Sequence, residues 1–87
     1  MTNTTVNVGA TLAQIVRHFA PRDRAGLPLN PETHLIDDIG IDSPRMIDVV
    51  LEVEDRFGIS VADDAVERVR TFGEMEALVA ELTGAAR

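Results

Sequence analysis

The chain has 87 residues, no cysteine and a net charge of −7, which bound it to one domain with a single modest core and exclude disulfides, thiolate metal sites and a cysteine nucleophile. The charge is uneven: residues 1–31 sum to +2, residues 32–67 to −9 and residues 68–87 to zero. With that acidic middle, and neither Tyr nor Trp for bases to stack on, no nucleic acid is expected as a partner; proteins with basic patches fit better.

Met1 to Thr5 lacks the basic start and apolar run of a signal peptide, and no apolar stretch is long enough to span a bilayer. A cytoplasmic protein that is not membrane-embedded is therefore expected. One domain spans 1–87, with 1–8 expected as a disordered N-terminus. Thr11 and Gln14 have capping-box spacing, and Leu12, Ile15, Val16 and Phe19 then recur at helical spacing until Pro21 stops the run. The connection from Pro21 to Asp42, about twenty residues, exceeds the usual length of a structureless loop. Pro28 and Pro31 keep a regular helix out of it. Leu27, Leu29, Leu35, Ile36, Ile39 and Ile41 are expected to pin it across a helical core, with one short turn near Asp37.

Ser43-Pro44 follows, read as an N-cap serine and a proline at the first helical position. The helix is predicted from Pro44 to Phe57, with Gly58 as its left-handed terminator. Met46, Val49, Val50, Val53 and Phe57 share one arc of roughly 100° that faces the core. Ile47 and Leu51 fall outside that arc among Asp48, Glu54 and Asp55, so the helix shows a second, exposed apolar pair in an acidic frame. Ile59-Ser60-Val61 reads as an extended link. Asp63 and Asp64 are expected to cap a brief helix, Ala65 to Val69, that depends on packing for its stability. Thr71 and Glu74 form a second capping box, opening a helix with the stripe Phe72, Met75, Leu78, Val79 and Leu82 and a cap at Gly84. The fold class is all-α: three longer helices, one short third helix and a long first loop, with no strand-pairing signal.

The chemistry of an enzyme is not written here. Ser43 with His18 or His34 makes a triad only on paper, because no G-x-S-x-G elbow or oxyanion hole accompanies it; His18 reads as a helix-surface residue and His34 as an exposed loop residue. A calcium loop fails too. With Gly40 at the sixth position, Leu35 and Ile39 fall where oxygen ligands are needed. No catalytic residue and no metal site is assigned. A helix-initial serine, a flexible or semi-ordered loop before it and an acidic-apolar helix after it suggest a carrier, modified by one enzyme and presented to others.

Asp38-Ile39-Gly40-Ile41-Asp42-Ser43, followed by Leu51-Glu52-Val53-Glu54-Asp55-Arg56-Phe57-Gly58-Ile59-Ser60-Val61, resembles the acyl carrier protein family. The likeness covers about residues 32 to 82 well, and the combined motif is far more specific than the serine alone. It implies a small four-helix bundle, expected to be a monomer, with 4′-phosphopantetheine from coenzyme A attached to Ser43 by a phosphopantetheinyl transferase. The thiol of that arm would carry acyl thioesters, with the amides of Arg45 and Met46 facing the phosphodiester. By position, Asp42, Asp48, Glu54 and Asp55 match acidic docking sites, and Ile47, Leu51 and Val61 the apolar contacts, for acyl synthases or acyltransferases with basic patches. Met46 and Val50 would help shelter the acyl chain.

Two residues of this docking region depart from the family's pattern. Pro44 stands where most members have leucine, removing a donor and an apolar contact; Arg45 stands where many have an acid, placing a positive charge in a negative face. The resulting expectation is a specialised, stand-alone carrier in fatty-acid, specialised lipid or secondary-metabolite biosynthesis. The alternatives are a peptidyl or aminoacyl carrier, or an unmodified carrier-like interaction domain.

Overall fold

In the computed structural model, which describes residues 8–84, the chain forms α1 (Val8–Phe19), α2 (Ser43–Phe57), α3 (Asp63–Arg68) and α4 (Phe72–Thr83). The described residues hold no strand, only an isolated antiparallel bridge between His34 and Thr71. α1 packs against both α2 and α4. Leu12, Ile15 and Val16 of α1 meet Val49 and Val53 of α2 and Val79 of α4 in one core, each no more than 1% exposed. This is the predicted all-α bundle.

The helix ends show where local signals were decisive. α1 begins at Val8, which is itself buried, so Thr11 lies inside the helix and does not cap it. Val8 extends the apolar stripe of Leu12, Ile15 and Val16 back by one turn, and burying it outweighs the polar start signal. Val8, the last residue of the stretch expected to be disordered, is helical, and the rest of that stretch, 1–7, lies outside the described residues. α2 ends as expected at Gly58, whose φ of +66° is left-handed and whose amide donates to the Glu54 carbonyl. α4 opens on the predicted capping box: Thr71 Oγ1 accepts from the Glu74 amide, while Glu74 Oε1 accepts from the amides of Arg70 and Thr71. Those two amide donors hold the Glu74 carboxyl below the usual carboxylate range.

α3 differs from its prediction. Ala62 precedes it without a side-chain cap, Asp63 and Asp64 occupy its first turn, and Val69 lies beyond its end. The two acids serve the short helix through their charge near its positive end rather than as caps. Only Ala65 is buried, with Val66 and Val69 packed at the margin of the core. In α4, Phe72, Met75 and Val79 are buried and Leu78 half-buried, but Leu82 is exposed. Its turn lies past the last α4 residue of the core cluster, Val79.

The first loop is part of the core. Leu35, Ile39 and Ile41 are three of the nine largest fully buried side chains, and each contributes about 1.5–3 kcal/mol by leaving water. That is enough to order a segment with two prolines and no regular structure. Leu35 and Ile39 lie one helical turn apart within a turn closed by Asp38 and Ile39 amides donating to the His34 carbonyl. Ile36 occupies the outer side of that turn and is 47% exposed, and Leu27 is exposed as well, so neither faces inward as the sequence pattern predicts. Arg17 holds the earlier part through Nη1, donating to the carbonyls of Ala25 and Leu27 at 2.7 and 2.9 Å. The later part is stitched to the start of α4: Leu35 donates to the Arg70 carbonyl, Phe72 to Thr33 and Gly73 to Pro31. That stitch brings residues 31–36 alongside the α3–α4 link, and it fixes what stands next to Ser43.

Candidate functional site

Ser43 is the first residue of α2, not its cap. Asp42 is the cap: its backbone is extended, Oδ1 accepts from the Arg45 amide at 3.0 Å, and its carbonyl accepts from the Met46 amide at 2.8 Å. The sequence motif alone could not separate two adjacent capping residues, and the acid prevailed through its stronger, charge-assisted acceptor. Two consequences follow for Ser43. Its exposed hydroxyl makes no hydrogen bond among the described residues. The amides of Arg45 and Met46, expected to face a phosphate, are both already bonded, and Pro44 has none.

Beside Ser43 opens a cleft of about 510 Å³ between α2, the turn of the first loop and the α3–α4 link. Met46 and Ile47 line it from α2, Ile36 from the loop and Val66 and Val69 from the far side, so its walls are mainly apolar. Its polar margin is made by His34, Glu67 and Arg70. None of these eight except Met46 and Ile47 was singled out as a site residue in the sequence. They come from three segments, and the backbone hydrogen bonds between residues 31–35 and 70–73, at the bridge of His34 and Thr71, set the loop beside the α3–α4 link. A second cleft of about 410 Å³ continues along α2, lined by Val50, Leu51, Glu54 and Val61 and sharing Ile47 and Val66 with the first. An exposed serine at the mouth of an apolar cleft fits a long, flexible arm with an acyl end.

His34 is half-buried rather than exposed. Its Nδ1 accepts from the Asp37 amide at 3.1 Å, so the ring proton sits on Nε2. The 3.7 Å approach of Nδ1 to the Asp37 carboxylate is not an ion pair while that nitrogen accepts the amide hydrogen. His18 lies on the surface of α1, edge-on to Phe19.

On the outer face of α2, Ile47 and Leu51 are 61% and 57% exposed, with Asp48 and Asp55 exposed alongside. The expected apolar pair in an acidic frame is physically present. Glu54 differs from the other acids. It is half-buried, and its Oε2 accepts from the Val61 amide at 2.8 Å, tying the α2–α3 link to α2. Arg45, expected to intrude on the acidic face, reaches back so that Nη1 donates to the Phe19 carbonyl at 3.3 Å, at the negative end of α1. Pro44 is exposed in the first turn. Met46 is buried at the wall of the first cleft, and Val50 is half-buried at the second.

The family model for the phosphopantetheine attachment site matches residues 10–79. Among relatives, the acyl carrier protein of Acidothermus cellulolyticus is 33% identical over 75 residues, 83% of each chain. That of Picosynechococcus sp. is 37% identical over 57 residues, covering 66% of this chain and 70% of the relative. The meromycolate extension acyl carrier protein of Mycolicibacterium smegmatis is 28% identical over 82 residues, 94% of this chain and 81% of the relative.

Proposed function

Since the chain belongs to the acyl carrier protein family, we propose that Ser43 is the residue that bears its 4′-phosphopantetheine arm. The protein is a carrier and not an enzyme: it serves fatty-acid or specialised lipid biosynthesis by holding acyl groups for other proteins to act on. Its partners include a phosphopantetheinyl transferase and acyl-handling enzymes. Among the described residues no helix is long and apolar enough to cross a membrane.

The observation that carries the assignment is the exposed, unbonded hydroxyl of Ser43 at the mouth of the apolar cleft. Ser60, the other serine of the chain, follows α2 and opens no helix. In loading, the Ser43 Oγ–phosphorus bond forms as the pyrophosphate P–O bond of coenzyme A breaks; adenosine 3′,5′-bisphosphate leaves with the electron pair and the hydroxyl proton passes to a base on the transferase. When bound, the arm supplies the thiol that this cysteine-free chain lacks, and its tether raises the local concentration of cargo at a partner's site. The clefts along Met46 and Val50 would shelter an acyl chain. Asp42, Asp48, Asp55, Ile47 and Leu51, with Glu54 and Val61 behind them, form the proposed docking face for basic-patched synthases or acyltransferases. The similarity to a meromycolate extension carrier favours a specialised lipid pathway, in keeping with Pro44 and Arg45 at the family's usual contact positions. A broad-specificity transferase with coenzyme A should add one arm to the wild type and none to Ser43→Ala, read by intact mass. An arm on Ser60, or none from any transferase, overturns the assignment.

A further inference from the structure

A phosphodiester on Ser43 would receive little from the helix at whose start it sits. Asp42 occupies the Arg45 and Met46 amides and adds a carboxylate next door, and Pro44 contributes no donor. The amide of Ser43 itself is the one donor left in that turn. A helix N-terminus stabilises an anion through such free amides, and in this chain they are nearly exhausted. The surrounding segment is also strongly negative, at −9 over residues 32–67, which further disfavours a phosphate.

Across the same cleft stand two groups that answer this deficit. Arg70 lines it from the α3–α4 link, and its guanidinium forms no ion pair among the described residues. Glu74, the carboxylate that feels its charge, is bonded instead to the Arg70 and Thr71 amides. His34 lines the cleft from the loop, and with Nδ1 accepting from the Asp37 amide it retains an Nε2–H donor. The backbone places both: the Leu35 amide donates to the Arg70 carbonyl at 2.9 Å, so the two residues flank a single hydrogen-bonded rung. Glu67 is the one acid on this margin.

We propose that Arg70, assisted by His34, is the anion-binding group for the phosphodiester of the arm, drawing the first part of the arm across the mouth of the cleft. The inference rests on Ser43 bearing the arm. The phosphodiester is favoured over an acidic cargo because it is bonded directly to a residue lining this cleft, whereas cargo sits at the far end of a flexible tether. A guanidinium also suits phosphate oxygens through paired N–H donors.

The test uses the protein with its bare, thiol-ended arm, so that no cargo carboxylate is present, and compares wild type, Arg70→Gln, Arg70→Lys and Arg68→Gln. Arg68 is an exposed cation of α3 that does not line the cleft. Intact mass first establishes loading, and amide NMR spectra establish that each variant is folded. Loading should raise the melting temperature of the wild type and Arg68→Gln by about 1–5 °C at low salt, the scale of a partly exposed charge pair in a domain of this size. Arg70→Gln should lose that increment, Arg70→Lys should keep part of it, and added salt should erase it. The phosphorus-31 resonance of the arm should move toward its unfolded-protein position in Arg70→Gln alone. If Arg70→Gln is loaded and folded yet keeps both the melting increment and the resonance position, the anion site is wrong while Ser43 stands. If mass shows no arm on Ser43, both readings fall.

Discussion

At the scale of single residues, the division of labour between Asp42 and Ser43 is the feature with the sharpest consequence. A serine that capped its own helix would have its oxygen engaged in holding the first turn; here Asp42 does that work through Oδ1 and leaves the Ser43 hydroxyl unbonded. Asp42→Ala should therefore cost about 0.5–2 kcal/mol, the usual value of a lost cap, whereas Ser43→Ala should stay within about 0.5 kcal/mol, as an exposed substitution without a structural partner does. Urea denaturation of the arm-free protein measures both. Equal losses would return the cap to Ser43. Arg45 is reinterpreted at the same scale. Its bond to the Phe19 carbonyl joins the start of α2 to the end of α1, so part of its charge faces an intramolecular acceptor.

At the scale of elements, the first loop and α4 depend on one close approach. Gly73 sits in the first turn of α4, and a Cβ built on it would lie 2.8 Å from the Pro31 carbonyl oxygen. In an isolated helix Gly→Ala gains up to about 1 kcal/mol. The clash is with backbone that cannot swing away, and overpacking of that kind costs about 1–3 kcal/mol, so the clash should win. Gly73→Ala is expected to lower stability and to loosen the stitch made by the Gly73, Phe72 and Leu35 amides. Hydrogen exchange at those amides reports it, and unchanged protection with a higher melting temperature would show that the loop simply moves aside. Because this stitch holds His34 and Arg70 beside Ser43, a scaffold position far from the hydroxyl controls the composition of its surroundings.

At the scale of the whole molecule, charge and contact on the outer face of α2 should separate experimentally. Asp48 is exposed and belongs to the segment that carries most of the negative charge, so its influence on a basic partner is a screened, longer-range one. Leu51, at 57% exposure, acts only on contact. Asp48→Arg should slow loading by the transferase more at low salt than at high salt, by roughly tenfold at the low end if one close charge pair reverses sign. Leu51→Ala should slow it to the same degree at every salt concentration. Stopped-time mass measurements of loading across a salt series distinguish the two, and identical salt dependence for both variants would remove this face as the docking surface.

Much of this was already written in the chain itself. The periodic stripes of α1, α2 and α4, the left-handed glycines at 58 and 84 and the Thr71–Glu74 box are local features, set by interactions between residues at most a turn apart, and apart from the exposed Leu82 they agree with the structure. The acidic loop ending in Asp42-Ser43 is likewise contiguous, which is why the family and its arm are legible in the sequence. What sequence could not supply were choices between near-equal local options and contacts between distant segments. Asp42 over Ser43 as the cap, and Thr11 inside α1 rather than at its start, each turned on small differences that packing and charge resolved. That Leu35, Ile39 and Ile41 face inward while Ile36 faces the cleft, and that His34 and Arg70 line the same cleft as Ser43, was decided only by tertiary structure. A few backbone hydrogen bonds across more than thirty positions of chain are energetically small and carry no periodic signature, yet they determine which side chains share a surface.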